Sequence, residues 1–133
     1  MRPSQLARSY KSVAITTATP GQLVLMLFDG ALRFLATATR GFHEESIAVR
    51  NEQIHNNLVK AQKILRELQC SLDLKVGGEF ATTMFALYEF MIEQLQTANM
   101  AKDAAPIGVV ERLLGEIRGA WAQMLEQSAT VAA

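Results

Sequence analysis

The chain is poor in the residue types that site chemistry usually needs. Its 133 residues hold one cysteine and two histidines. One cysteine excludes an internal disulfide, and with two histidines it leaves no Cys- or His-rich metal cluster. Charge of one sign is missing too: 13 Lys plus Arg stand against 13 Asp plus Glu. With no net field and with dispersed basic residues, nothing draws the chain to nucleic acid. The longest unbroken apolar run, Leu23 to Phe28, is too short to span a bilayer, so no membrane insertion is expected. The first twenty residues lack the apolar core of a secretory signal, which with the single thiol fits a cytoplasmic protein. No stretch alternates with a strand period, and no solenoid repeat or low-complexity block occurs.

What is present is helical periodicity. Thr19-Pro20-Gly21-Gln22 is a nearly complete helix start: a threonine N-cap, proline at the first position, and glutamine at capping-box spacing. The helix that follows, about Pro20 to Thr39, is apolar almost all round, with Gln22, Asp29, Arg33 and Arg40 on one narrow stripe. Gly41 is expected to end it. A second helix, about Ser46 to Leu72, carries one seam of Ile47, Ile54, Leu58, Ala61, Leu65, Leu68 and Leu72. Cys70 falls within this pattern and reads as a small core residue. Asp73 to Gly78 breaks the periodicity with paired glycines. A third helix, about Glu79 to Asn99, has an inner seam of Phe80, Met84, Leu87, Met91, Leu95 and Ala98. A second strip, Phe85, Tyr88 and Ile92, lies beside that seam. A fourth helix, about Pro106 to Gln127, has Ile107, Val110, Leu114, Ile117, Trp121 and Met124 inside.

Four long helices with short connections predict an all-α, antiparallel up-down-up-down four-helix bundle. The expected division is an N-terminal arm over 1–18, the bundle over 19–127 and a weakly structured tail over 128–133. Residues 1–18 read either as a frayed terminus or as an arm that lies on the body with Tyr10 and Ile15 as apolar anchors.

Two features exceed what a bundle requires. The first helix has more apolar surface than one neighbour covers: Leu25, Phe28 and Leu32 lie away from Leu23, Leu27 and Phe34. Covering them falls to the arm or to a partner, and the strip at Phe85, Tyr88 and Ile92 adds to that surface. The fourth helix carries Gly108, Gly115, Gly119 and Ala122 within ~60° on the helical wheel. Close packing against a neighbouring helix is the ordinary reading of such a strip. A groove for a foreign segment, using Gly115 and Gly119, is the other.

Catalytic patterns are lacking. Glu52-x-x-His55 has the spacing of a di-iron element, but a site needs a second copy on another helix, and His43 supplies none. No nucleophile elbow or phosphate loop occurs. No cofactor is implied, and the chain is not expected to be an enzyme. A metal-dependent bundle enzyme and a self-associating structural bundle, which would form a homodimer, are the rival readings.

Several segments resemble one family. Tyr10, Ile15, Thr17-Ala18-Thr19-Pro20, Leu23 and the run Leu25 to Leu35 look like the opening of the flagellin-specific export chaperone FliS family. The likeness continues through Asn57, Lys60 to Leu65, Ser71-Leu72-Asp73, Gly77-Gly78-Glu79, Leu87-Tyr88, Ala98-Asn99, Asp103 and Ala120-Trp121. It departs mildly at Ala14, Thr19 and Cys70. The resemblance implies a four-helix bundle with a short N-terminal cap. It also implies a cytoplasmic chaperone that binds the disordered C-terminal segment of flagellin, prevents early polymerisation and hands it to the flagellar export apparatus. The spare apolar surface and the implied client meet at the same residues.

Overall fold

A computed structural model describes residues 18–132. They form four helices: α1 Pro20–Gly41, α2 Ile47–Cys70, α3 Gly78–Ala101 and α4 Ala105–Ala132. Each packs on its two neighbours in the order α1, α2, α3, α4 and back to α1. The direction alternates. Gln53, early in α2, reaches the Thr37 carbonyl late in α1, and Trp121, late in α4, reaches Gly21 at the start of α1. This is the expected up-down-up-down bundle.

The capping box at Thr19 forms. The Gln22 amide donates to the Thr19 hydroxyl at 3.2 Å and the Thr19 amide donates to the Gln22 side chain at 2.9 Å. Thr19→Ala is expected to lower stability by about 1 kcal/mol, read as a shift of the urea midpoint at unchanged slope.

The core is built from Phe28, Ala31, Leu35 and Ala38 of α1 with Ile54, Leu58, Ala61, Leu65 and Leu68 of α2. Tyr88, Met91, Ile92, Leu95 and Ala98 of α3 and Ile107, Val110 and Leu114 of α4 complete it. Small residues bring α1 close to α2. Gly41 does not end α1 as a turn residue but lies buried within its last turn. A Cβ there would stand 3.2 Å from Gln53 Cγ and Ile54 Cγ1. The turn glycine is Gly78, whose φ of 56° places it in the left-handed region.

Several positions depart from the helical-wheel expectation. The inner face of α3 is rotated: Tyr88 and Ile92 are buried, whereas Phe80 is 64% exposed. Ile47 is 65% exposed because it begins α2, ahead of the first covered turn. Cys70 is an exposed free thiol at the last position of α2, not a core residue. The small-residue segment after Gln127 continues α4 to Ala132, where no glycine or proline interrupts it. α1 is long and apolar enough to cross a membrane by length and composition alone. Its apolar residues are instead shared among α2, α4 and the core, and Asp29 pairs with Arg118 of α4 at 2.8 Å.

The α2–α3 seam carries the main polar network. Gln69, buried, donates to the Glu89 carboxylate at 2.8 Å, and Arg66 pairs with the same oxygen at 2.7 Å. Gln69 and then Arg66 hold the Glu89 pKa below its usual 4.5. A lowered carboxylate pKa stabilises the fold above the unfolded-state value and loses that contribution as pH falls through the folded-state value. Glu89→Gln is therefore expected to flatten the acid limb of a stability–pH curve below about pH 4.5 while leaving its neutral plateau pH-independent.

Candidate functional site

The bundle is not equally closed along its length. The register of α2 on α3 sets Gln69 against Phe85, its amide donating to the Phe85 carbonyl at 3.1 Å. α2 stops one residue later, at Cys70, while α3 starts at Gly78. The first turns of α3 thus extend past the end of α2, where the loop residue Leu72 takes its place. An apolar cleft of about 250 Å³ opens there.

Phe28 forms part of its wall from α1, Leu72 from the loop, Phe80, Met84 and Tyr88 from α3, and Ile117, Ala120, Trp121 and Met124 from α4. Trp121 is fixed on two sides. Its indole N–H donates to the Gly21 carbonyl at 2.9 Å, and its ring meets Phe28 edge-on, centroids 6.3 Å apart and planes at 79°. No charged side chain among the described residues lines the cleft. Burial pushes the Tyr88 phenol up to about 12, so it stays neutral at any physiological pH. A pocket of this kind takes apolar side chains and offers nothing to an ion. Two of its walls are exposed in the free chain, Phe80 at 64% and Met124 at 43%.

A second apolar groove lies between α1 and α2, about 450 Å³, lined by Leu23, Met26, Leu27, Phe34 and Ile64 and rimmed by Arg33 and Glu67. The Lys60 ammonium sits 5.5 Å from the centre of the Phe34 ring. A third groove, between α2 and α3, has Val59 and Ile92 in its lining with the polar side chains Gln62, Lys63, Arg66, Glu89, Glu93 and Gln96. Among the described residues no group of three or more His, Cys, Asp or Glu could hold a metal ion.

The residues singled out from the sequence divide three ways. Tyr10 and Ile15 lie outside the described residues. Phe28, Tyr88 and Ile92 are buried by the bundle itself, so they do not wait for a partner to cover them. The helical wheel placed them on outer faces because it fixes positions within a helix but not the rotation of that helix on its neighbours. Phe28 and Tyr88 nevertheless form walls of the cleft. Leu25 and Leu32 remain half-exposed, and Phe85 is 39% exposed. Leu25 and Leu32 stand four and three residues from Asp29, and Gly115 stands three from Arg118. All three therefore flank one ion pair at the α1–α4 seam.

The glycine strip does not pack internally. A Cβ built on Gly108, Gly115 or Gly119 meets no described atom within 4 Å. α4 turns Ile107, Val110 and Leu114 inward, and that rotation leaves the glycines outside.

Trp121, Met124, Met84 and Phe80 were assigned by periodicity to interior seams. Their role as cleft walls depends on where α2 ends relative to α3. The sequence signal for it is the break at Asp73–Gly78, which stops one helix while the apolar pattern of the next begins at once.

Comparison with known proteins places this architecture. Residues 3–128 match the family described as Flagellar protein FliS. The chain is 34% identical over 118 residues to the flagellar secretion chaperone FliS of Bacillus subtilis (strain 168), covering 89% of this chain and 84% of that protein. It is 39% identical over 112 residues to the FliS of Salmonella typhimurium, covering 84% of this chain and 80% of the relative. It is also 33% identical to the flagellar secretion chaperone FliSB of Pseudomonas aeruginosa, covering 86% and 90%.

Proposed function

The chain belongs to the FliS family of flagellar secretion chaperones, and from that premise we propose that it binds the C-terminal segment of flagellin in the cytoplasm, keeps it from polymerising and delivers it to the flagellar export apparatus. The observation that carries this reading is the charge-free apolar cleft with Phe80 and Met124 exposed at its mouth. A folded chain that leaves such a cleft open invites an apolar partner. An amphipathic segment that becomes helical on docking presents side chains of that kind at i, i+3, i+4 and i+7. Ordering the segment costs several kcal/mol, and burial of its apolar face offsets that cost.

Leu25, Leu32, Phe85, Gly115 and Gly119 are proposed as further client contacts outside the cleft. Tyr10 and Ile15 are proposed to act from the arm, closing the free surface or clasping the bound segment. Gly115→Leu then has a definite outcome. Because its Cβ meets open space, the variant is expected to fold and melt as the parent does, while the added side chain weakens client binding.

Calorimetry with a peptide spanning the flagellin C-terminal segment tests the function. Saturable one-to-one binding with a negative heat-capacity change is expected. Absence of binding, together with light scattering that shows a stable dimer with or without peptide, would replace the chaperone reading by self-association.

A further inference from the structure

The α2–α3 seam contains a pattern that neither the core nor the cleft explains. Four polar side chains of α2 reach α3: Arg66 does so through Glu89, and the other three are evenly spaced. His55 Nδ1 lies 2.9 Å from the Asn99 side-chain amide, Gln62 donates to the Ile92 carbonyl at 3.2 Å, and Gln69 donates to the Phe85 carbonyl at 3.1 Å. On α2 the rungs fall at 55, 62 and 69, and on α3 at 99, 92 and 85. Both helices advance by seven residues per rung, in opposite directions, as an antiparallel pair with two-turn periodicity requires. Two of the rungs end on main-chain oxygens. A helical carbonyl that already accepts within its own helix keeps a second lone pair, which these glutamine amides occupy.

The apolar part of the same seam has no polar pair to mark a register. Leu58, Ala61, Leu65 and Leu68 against Tyr88, Met91, Leu95 and Ala98 would remain apolar on apolar after a slip of one turn, ~5.4 Å along the axis. A glutamine amide on a main-chain carbonyl would meet the carbonyl of the next turn, but the side-chain pairs His55–Asn99, Gln62–Gln96 and Gln69–Glu89 would not survive the slip. The most buried of them is Gln69, 2% exposed, whose amide also donates to Glu89 at 2.8 Å and whose carbonyl accepts from Arg66 at 2.6 Å. Shifted by a turn, this buried side chain would keep Arg66 of its own helix but lose Glu89, its side-chain partner on α3. Polar groups set into an apolar helix seam have this use: they select one register among several of similar packing quality.

We propose that the ladder of side-chain pairs His55–Asn99, Gln62–Gln96 and Gln69–Glu89 locks the register of α3 on α2, and that Gln69 is thereby a positioning residue for the client cleft. Phe85 lies between Met84 and Tyr88, both cleft walls, and Phe80 is five residues earlier on the same helix. The opposite walls, Phe28 and Trp121, belong to α1 and α4. A one-turn slip of α3 would carry Phe80, Met84 and Tyr88 past them and change the shape of the cleft without unfolding the bundle. This inference rests on the docking role proposed for the cleft.

The test uses the full chain with Gln62→Met and Gln69→Met, which keep length and volume but remove the donors. Spin labels at Glu52→Cys on α2 and Ala86→Cys on α3, both exposed positions, with the exposed Cys70 replaced by serine, report the α2–α3 distance by dipolar spectroscopy. One narrow distance is expected with the glutamines present. In the double variant a second population is expected, displaced by ~5 Å, one helical turn. The melting temperature should be retained, and affinity for the flagellin C-terminal peptide should fall about tenfold. A single unchanged distance would overturn the ladder, whatever the affinity. A split distance with full affinity would overturn the positioning role of Gln69. If the unsubstituted chain does not bind the peptide, the docking reading fails, and the distance measurement still decides the ladder.

Discussion

Phe80→Asp is expected to weaken binding of the flagellin C-terminal segment at least about a hundredfold, roughly 3 kcal/mol, while leaving the stability of the bundle nearly unchanged. The two halves of that statement have separate causes. Phe80 is 64% exposed because α2 has already ended where it projects, so the free chain loses little when its ring is removed. A docked apolar segment would cover the introduced carboxylate, and no cationic side chain among the described residues lines the cleft to pair with it. Calorimetry reads the affinity and urea denaturation the stability. Binding that survives the charge would move the docking site elsewhere, with the α1–α2 groove around Met26, Phe34 and Ile64 the next position to test.

Trp121→Ala should do both kinds of damage. Its indole contributes a wall of the cleft, an edge contact with Phe28 and the hydrogen bond that ties late α4 to the first turn of α1. Removal of a large aromatic side chain from such a site costs about 3 kcal/mol. Loss of the indole donor accounts for about 1 kcal/mol of this, and Trp121→Phe, which keeps an aromatic ring, should show mainly that part. Urea midpoints of the two variants separate the contributions, and client affinity should follow the larger truncation. A loss below about 1 kcal/mol for the alanine variant would mean that the Phe28 and Gly21 contacts are not coupled to the packing of the bundle.

Most of the secondary structure was legible along the chain. Thr19, Pro20 and Gln22 mark the start of α1 by side-chain chemistry that depends on nothing distant, and both reciprocal bonds form. The period of Ile54, Leu58, Ala61, Leu65 and Leu68 identifies the inner face of α2, and all five are buried. The readings that changed concern how one helix is rotated against another. Phe80 and Tyr88 exchange places between mouth and interior, and Gly115 and Gly119 face outward, because a helical wheel has no fixed origin until a neighbour supplies one. Cys70 reads as core by its place in a periodic stretch but lies on the last residue of α2, where periodicity continues on paper after the neighbouring surface has ended.

The excess apolar surface of α1 is similar. The wheel placed Leu25, Phe28 and Leu32 together on a side awaiting a partner. In the fold Phe28 is 2% exposed, covered by Trp121 and the core, and only Leu25 and Leu32 keep half-open positions near the Asp29–Arg118 pair. Much of what looked spare was spare only with respect to α2.

By itself the sequence determined the helical class, the four segments, the cap at Thr19 and the resemblance to the flagellar chaperones. These rest on local chemistry and on periods of three and four residues, which are written along one strand of chain. Only the tertiary structure decided that residues of the inner seams, with Phe28 and Tyr88, leave a cleft open. Its walls come from α1, the α2–α3 loop, α3 and α4, and it opens because α2 stops at Cys70 while α3 reaches back to Gly78. The relative register of antiparallel helices is a property of pairs, such as the meeting of Gln69 with Phe85, and no single segment contains it.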